Sequence, residues 1–314
     1  MKLLTIGCGN RGSAVADLMA KKGIRVNKTP LFKSYAISNE VETLKTLKSI
    51  HKDKRFHVWG SLNRKDVGSI INTIFSNYEI YEGFLVPIGL DEEFGFTMGI
   101  ELCEKLNEIC EEPILSLGIL PNLDETDLLE MKKRIRELRK KSDVLLLFEE
   151  KENTEAMLLN SLNIISMVGE IDIKSKNTGE VVVDTSDVIN SMLKEGISVI
   201  GVSGTKLPFW PLRKILYRDE YEIKGLKTRR MVELCEDAME NLSSDVDVKD
   251  ANSVLIVFSG DPEEITMDGM FSCLSMLEDI NPYFEIRYGD YPVKLSHLYA
   301  VLLFSGIKKL KFLS

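Results

Sequence analysis

Three glycines near the N-terminus have the spacing of a loop that binds phosphate. Gly7, Gly9 and Gly12 form a G-x-G-x-x-G pattern between an apolar run at residues 2–6 and a helical pattern at residues 13–22. Glycine lets the backbone approach a phosphate, and the first turn of a helix offers unpaired N–H groups to an anion. The pattern alone leaves two interpretations: the loop of an NAD(P)-dependent oxidoreductase, or a tight strand-to-helix turn without a ligand.

Two residues near this loop bear on whether it binds a dinucleotide or is a turn without a ligand. Glu40 lies just past the end of the second predicted strand, where a dinucleotide-binding enzyme places the acid that binds a ribose. Cys8 lies between two of the glycines, at a helix start that can activate a thiol. The alternative for Cys8 is a small apolar residue that fills space.

Asp184 and Asp187 are a pair of acids three residues apart at the start of a predicted helix. This spacing puts both carboxylates near one side of the helix, where they can orient a water molecule for attack. The alternative is a helix cap, in which Asp184 or Ser186 accepts backbone N–H groups and Asp187 lies in the first turn. The spacing leaves both interpretations open.

The elements that would position these residues alternate between apolar strands and amphipathic helices, which predicts a parallel sheet covered on both faces. A long apolar helix predicted at about residues 154–171 would connect this domain to a second one. We interpret residues 204–227 as a connection, before a helix at residues 231–242 and a smaller α+β domain. The predicted division is 1–152, a central helix in 153–175, the end of the first domain in 176–204, and 205–314.

Composition narrows the class of protein. The 314 residues carry a net charge of −9, which disfavours nucleic acid and anionic membranes as partners. The sequence has neither a secretory signal pattern nor the roughly 20 consecutive apolar residues of a transmembrane helix. Five cysteines without a C-x-x-C pair and three histidines without ligand spacing predict reduced thiols in a cytoplasm and no structural metal.

The order of several short motifs identifies a family resemblance. Gly7-Cys8-Gly9-Asn10 resembles the first nucleotide loop of tubulins, and more matches follow in the same order along the chain. They cover residues 118–121 with Asp124, then 142–148, 182–190, 196–201, 289–292 and 301–306. The chain thus resembles the tubulin/FtsZ superfamily, in particular the archaeal tubulin-like CetZ proteins. The resemblance implies a Rossmann-like domain, a central helix and a smaller α+β domain.

The resemblance also implies a ligand, an activity and a partner. The ligand is GTP, with Mg²⁺ as a possible companion; the activity is GTP hydrolysis; the partner is a second copy or another tubulin-like protein in head-to-tail assembly. Asp184 and Asp187 would act on a nucleotide held by the next subunit. The implied contacts to GTP are Gly7, Cys8, Gly9 and Asn10 in the first loop, Asn160 (with Asn163 as its rival) at the guanine, and Gly89, Gly95 and Thr97 as the remnant of a phosphate loop.

The sequence departs from the family pattern at that phosphate loop. Where the family has a run of glycines with Thr and Ser, this chain has Asp91, Glu92 and Glu93. The carboxylates either take the place of the phosphates, or form a solvated acidic cap, or hold Mg²⁺. The glycine-rich insert that contacts the γ-phosphate is also absent from residues 56–65. The sequence therefore predicts weakened or lost GTP binding, and a filament or regulatory subunit that does not hydrolyse GTP.

Overall fold

The computed structural model describes residues 1–60, 64–76, 79–122, 127–168, 183–207, 220–293 and 296–311. The described chain divides into two compact units. The first contains Met1–Leu159 with two short later segments, and the second contains Asn160–Glu195 and Val199–Lys309. The described residues contain no helix with both the length and the apolar composition needed to span a bilayer.

The first unit is built on a parallel sheet. Its strands and helices, in chain order, are β1 (Leu3–Cys8), α1 (Gly9–Lys22), β2 (Arg25–Val26), β3 (Thr29–Pro30), β4 (Phe32–Ser38), α2 (Val41–Thr46), β5 (Arg55–His57), α3 (Arg64–Phe75), β6 (Gly83–Gly89), α4 (Glu93–Ile109), β7 (Ile114–Leu120), α5 (Leu128–Lys141) and β8 (Val144–Glu149). The sheet order is β8-β7-β6-β1-β4-β5, and its paired strands run parallel. β2 and β3 form a small antiparallel pair.

Burial explains why these strands could be predicted. Every residue of β1, β6 and β7 is buried, as a sheet covered on both faces requires. The carboxyl ends of parallel strands lie at one edge of a sheet, so the segments after β1, β4, β6, β7 and β8 share that edge. Cys8 is the last residue of β1, and Glu40 and Glu92 lie in the segments after β4 and β6.

The second unit contains a mixed sheet. After α6 (Thr154–Met167), within which the division into units falls, come α7 (Thr185–Met192), β9 (Ile197–Lys206), α8 (Glu220–Glu240), β10 (Ser253–Gly260), α9 (Met267–Ile280), β11 (Glu285–Pro292) and β12 (His297–Ile307). The sheet order here is β11-β10-β12-β9, with β10 parallel to β11 and antiparallel to β12.

The predicted fold class, α/β with a mainly parallel sheet, is confirmed, and three local predictions need correction or fall outside the description. Residues 204–227 are not one connection, because β9 continues to Lys206 and α8 begins at Glu220. Residue 182, at the start of the motif match 182–190, and Asp124 lie outside the described residues. The segment at 220–230 was missed because it lacks a continuous apolar stripe; Tyr221 and Leu226 are both exposed.

Candidate functional site

The glycine pattern covers the end of β1 and the first turn of α1. Gly9 has a φ of +74°, a backbone conformation that favours glycine. A β-carbon at Gly9 would collide with the Glu92 carboxylate and would lie 2.7 Å from the α-carbon of Gly95. The starts of α1 and α4 are therefore packed against each other, with a carboxylate between them.

That carboxylate belongs to Glu92, the N-cap residue of α4. Its Oε2 accepts the backbone N–H of Asn10 at 2.6 Å, and its Oε1 accepts the backbone N–H of Arg11 at 2.8 Å. The first N–H groups of a helix have no partner within the helix and attract an anion. In this chain the anion is a side chain of the protein, 20% exposed.

Burial governs the protonation of Glu92. Loss of solvent raises the pKa of its carboxyl, while the N–H groups of Arg11 and Asn10 oppose the rise. The neighbouring Asp91 carboxylate raises the pKa further, and the Arg11 guanidinium lowers it. The N–H groups at the start of α1 therefore favour the charged form of Glu92 and burial disfavours it.

The Arg11 side chain offsets part of the negative charge at this edge. It forms ion pairs with Asp91 at 3.2 Å, with Glu92 at 3.9 Å and with Glu150. Of the three acids that replace the glycines, Asp91 faces Arg11, Glu92 faces the start of α1, and Glu93 is 81% exposed beside Arg134. The prediction that carboxylates take the phosphate position therefore concerns Glu92.

Sequence reasoning missed Arg11 and Glu150. Arg11 occupies a variable position of the glycine pattern, and Glu150 follows β8, 139 residues later. The available signal was topological, since the residues after parallel strands meet at one edge of the sheet.

The side chain of Asn10 is held by the segment after β4. It donates to Glu40 Oε2 at 2.9 Å, and its own oxygen accepts from Thr43 at 2.7 Å and from Ser38 at 3.2 Å. Glu40, considered above for a ribose contact, is therefore already engaged with the glycine loop.

The other residues predicted for this loop have different surroundings. Cys8 is fully buried with its Sγ 3.8 Å from the Ile6 carbonyl oxygen, and burial raises its thiol pKa well above the usual value, which favours a packing residue over a reactive thiol. Gly89 packs against Arg11 and Glu92, and Gly95 lies beside the Cys8 carbonyl group. Thr97 is half-buried on α4.

Asp184 and Asp187 form a reciprocal helix cap at the start of α7. Asp184 Oδ1 accepts the Asp187 N–H at 2.8 Å, and Asp187 Oδ2 accepts the Asp184 N–H at 3.3 Å. The hydrogen bond from the Ser186 hydroxyl, 2.6 Å long, lowers the pKa of Asp184, which is exposed. Asp187 also lies 3.6 Å from Arg287. The cap is observed, and the catalytic role stays a prediction.

Two further predictions concern ligands. Asn160 and Asn163 are half-buried on α6, and a guanine contact by either stays a prediction. Within the described ranges, no group of three or more His, Cys, Asp or Glu side chains is arranged to hold a metal ion.

Comparison with known proteins identifies relatives. The family model for the C-terminal domain of tubulin-like CetZ proteins matches residues 149–314, just over half of the chain. Tubulin-like protein CetZ3 of Haloferax volcanii is 27% identical over 98% of this chain and 88% of its own length. The GDP-bound monomer of CetZ1 from Haloferax volcanii has a TM-score of 0.81 at 23% identity, covering 100% of this chain and 96% of that one. The GTPγS-bound protofilament of CetZ2 from the same organism has a TM-score of 0.74 at 19% identity, covering 99% and 95%. These structures have the fold of this chain.

Proposed function

The chain belongs to the tubulin-like CetZ family, and from this premise we propose that it is a cytoskeletal subunit whose Glu92 carboxylate occupies the phosphate position of the nucleotide site. A CetZ1 structure described as GDP-bound and a CetZ2 structure described as a GTPγS-bound protofilament support a family function in nucleotide-dependent assembly. The difference in this chain lies at the phosphate loop. We infer a subunit that assembles in the cytoplasm without hydrolysing GTP.

One observation carries this proposal: Glu92 accepts the N–H groups of both Asn10 and Arg11. A phosphate at this helix start would compete for the same donors. It would also stand near a carboxylate, and two unit charges about 5 Å apart repel by about 3 kcal/mol at an effective dielectric of roughly 20. The residues present therefore fit a triphosphate poorly.

The rest of the proposal concerns assembly. If the chain lacks a competent nucleotide site, Asp184 and Asp187 can still serve a nucleotide held by a neighbouring CetZ subunit, and Asn160 is retained as the candidate guanine contact. Asp184 is exposed, so its carboxylate is available to a partner. We keep the predicted division at residues 152, 175 and 204 as part of this proposal. Mg²⁺ has no support from a cluster of ligands in the described residues.

The glycine pattern does not favour an NAD(P)-dependent oxidoreductase. The acid that would bind the ribose, Glu40, hydrogen-bonds to Asn10 and Thr43. The position that would receive the pyrophosphate is taken by Glu92. The Glu92 contact that disfavours a triphosphate thus also disfavours a dinucleotide.

Assembly with and without nucleotide tests the proposed function. The protein is sedimented alone and with a GTP-hydrolysing CetZ relative, in the presence of GTP, in the presence of GDP and without nucleotide. We expect the amount of this chain in the pellet to be independent of GTP when it is alone, with no release of phosphate. Polymer that forms only with GTP and dissolves as GTP is hydrolysed would contradict the proposal.

A further inference from the structure

The outer face of α5 carries a stripe of cations, with the half-buried Glu137 among them, on an otherwise acidic protein. Lys133, Arg136 and Lys140 are exposed, and Leu129, one turn before them, is 80% exposed. Their spacing of three and four residues places them along one side of the helix. Among the described residues none of the three cations forms an ion pair, whereas their neighbours Arg134 and Lys141 are paired with Glu93 and Glu104.

The outer face of α8 carries the opposite charge at the same spacing. Glu233, Glu236 and Glu240 repeat the intervals of three and four residues found on α5, and Asp237 adds a fourth acid. All four are exposed, and no ion pair to them occurs within the described ranges. Each charged run covers eight residues, so its two ends lie about 10 Å apart along the helix axis.

The acidic stripe also works against its own helix. The last turns of a helix present carbonyl groups and the negative end of the macrodipole, which favour cations. The last turn of α8 contains no basic residue, and its acids repel one another at intervals of three and four residues. A cationic partner would relieve both effects.

We propose that the α5 stripe of one molecule binds the α8 stripe of a second copy. The two surfaces are different, so the contact is heterologous and each molecule keeps one free surface of each kind; such contacts propagate into rings or filaments. The inference rests on the proposed function, in which copies of the chain assemble without a competent nucleotide site. The contact between the two stripes needs no nucleotide.

An anionic membrane is the less favoured occupant of the α5 stripe. A helix that binds in a membrane interface inserts an apolar face into the lipid. The apolar face of α5, formed by Met131, Ile135 and Leu138, is buried in the protein core. Leu129 and the partly exposed Leu128 are the large apolar residues that this helix exposes in the described structure.

Charge reversal with rescue tests the contact in sedimentation velocity without nucleotide. One variant carries Lys133→Glu, Arg136→Glu and Lys140→Glu; the other carries Glu233→Lys, Glu236→Lys and Glu240→Lys. We expect the parent to associate at about 50 mM salt and to dissociate at about 500 mM, where the Debye length is about 4 Å. Each variant alone should need at least about tenfold more protein to associate, and their equimolar mixture should associate like the parent.

The control variant carries Lys21→Glu, Lys48→Glu and Lys52→Glu, which change the net charge as much as the α5 reversal does, at exposed positions elsewhere. It should associate like the parent, and thermal melting should show all variants folded.

A parent that stays monomeric at low salt, or a mixture that fails to associate, would overturn the contact. Binding of the parent to phosphatidylserine vesicles, lost in the α5 variant, would assign the stripe to a membrane and also overturn it. No GTP is present in these experiments, so these failures do not bear on the proposal for the nucleotide site. GTP binding by the parent would contradict that other proposal.

Discussion

Glu92 Oε2 lies 2.6 Å from the backbone nitrogen of Asn10, so a carboxylate from the start of α4 satisfies the start of α1. The two residues are 82 positions apart in the sequence. Because the second carboxylate oxygen accepts from Arg11, the whole carboxylate is committed to this helix start. In the function that we propose, this intramolecular anion takes the place of a nucleotide phosphate.

Removal of this anion should destabilise the protein and create a site for a free one. Glu92→Ala leaves the N–H groups of Asn10 and Arg11 without their acceptor, which should lower the free energy of unfolding by about 1–3 kcal/mol. Inorganic phosphate should raise the melting temperature of this variant more than that of the parent. Glu93→Ala is the matched control, because its exposed ion pair with Arg134 should contribute less than about 1 kcal/mol. Equal responses of the two variants to phosphate would contradict the assignment of Glu92 to the anion position.

Two glycine substitutions should have opposite effects on stability, because only Gly9 lies where α1 and α4 approach each other closely. Gly9→Ala should lower the free energy of unfolding by at least about 1–3 kcal/mol, since Gly9 has a positive φ and its β-carbon would meet Glu92. Gly68→Ala, inside α3 with no atom within 4 Å of the added carbon, should raise stability by about 0.5–1 kcal/mol. Denaturant unfolding measures both. A neutral Gly9→Ala would show that the two helix starts are farther apart.

The sequence was sufficient for strands such as β6 and β7, because fully buried parallel strands appear as largely apolar runs. It also drew attention to the acids at the start of α4. It could not show which of Asp91, Glu92 and Glu93 turns inward, because that choice depends on the position of α1. The start of α8 was missed because apolar periodicity is lacking over its first ten residues, where Tyr221 and Leu226 are exposed.

Glu79 should make stability depend on acid pH. Its carboxylate accepts hydrogen bonds from Lys33 at 2.6 Å and from Lys2 at 3.1 Å, and these lower its pKa from 4.5 to about 2. A carboxyl with a lowered pKa in the folded state contributes stability above its unfolded pKa and loses it as the pH falls through the folded value. Glu79→Gln should therefore lower the melting temperature at pH 7, and the difference from the parent should vanish as the pH approaches about 2.

A double-mutant cycle identifies the source of that dependence. In a Lys33→Met background, Glu79→Gln should have a smaller effect at pH 7, because the first of its two cations is gone. An effect of Glu79→Gln that is constant from pH 7 to pH 2 would exclude this ion pair as the cause.

Asp184 offers a way to separate a helix cap from a catalytic acid. Asp184→Ala and Thr266→Ala each remove an observed cap within the second unit, from α7 and α9 respectively. Both should lower the melting temperature. If the proposed catalytic role holds, the chain stimulates the GTPase of a GTP-hydrolysing CetZ partner, and only Asp184→Ala should reduce that stimulation. Stimulation that is absent in the parent, or equal in both variants, would leave Asp184 as a cap.

Equilibrium titration with a fluorescent GTP analogue measures whether the site at the starts of α1 and α4 binds GTP. The parent should show no saturable binding up to about millimolar nucleotide, a concentration range that corresponds to roughly 4 kcal/mol of binding free energy. Glu92→Gly should gain affinity by on the order of 100-fold, the factor expected when a carboxylate about 5 Å from a phosphate is removed. Glu93→Gly should bind no better than the parent. Micromolar binding by the parent that Glu92→Gly leaves unchanged would contradict the assignment of Glu92 to the phosphate position.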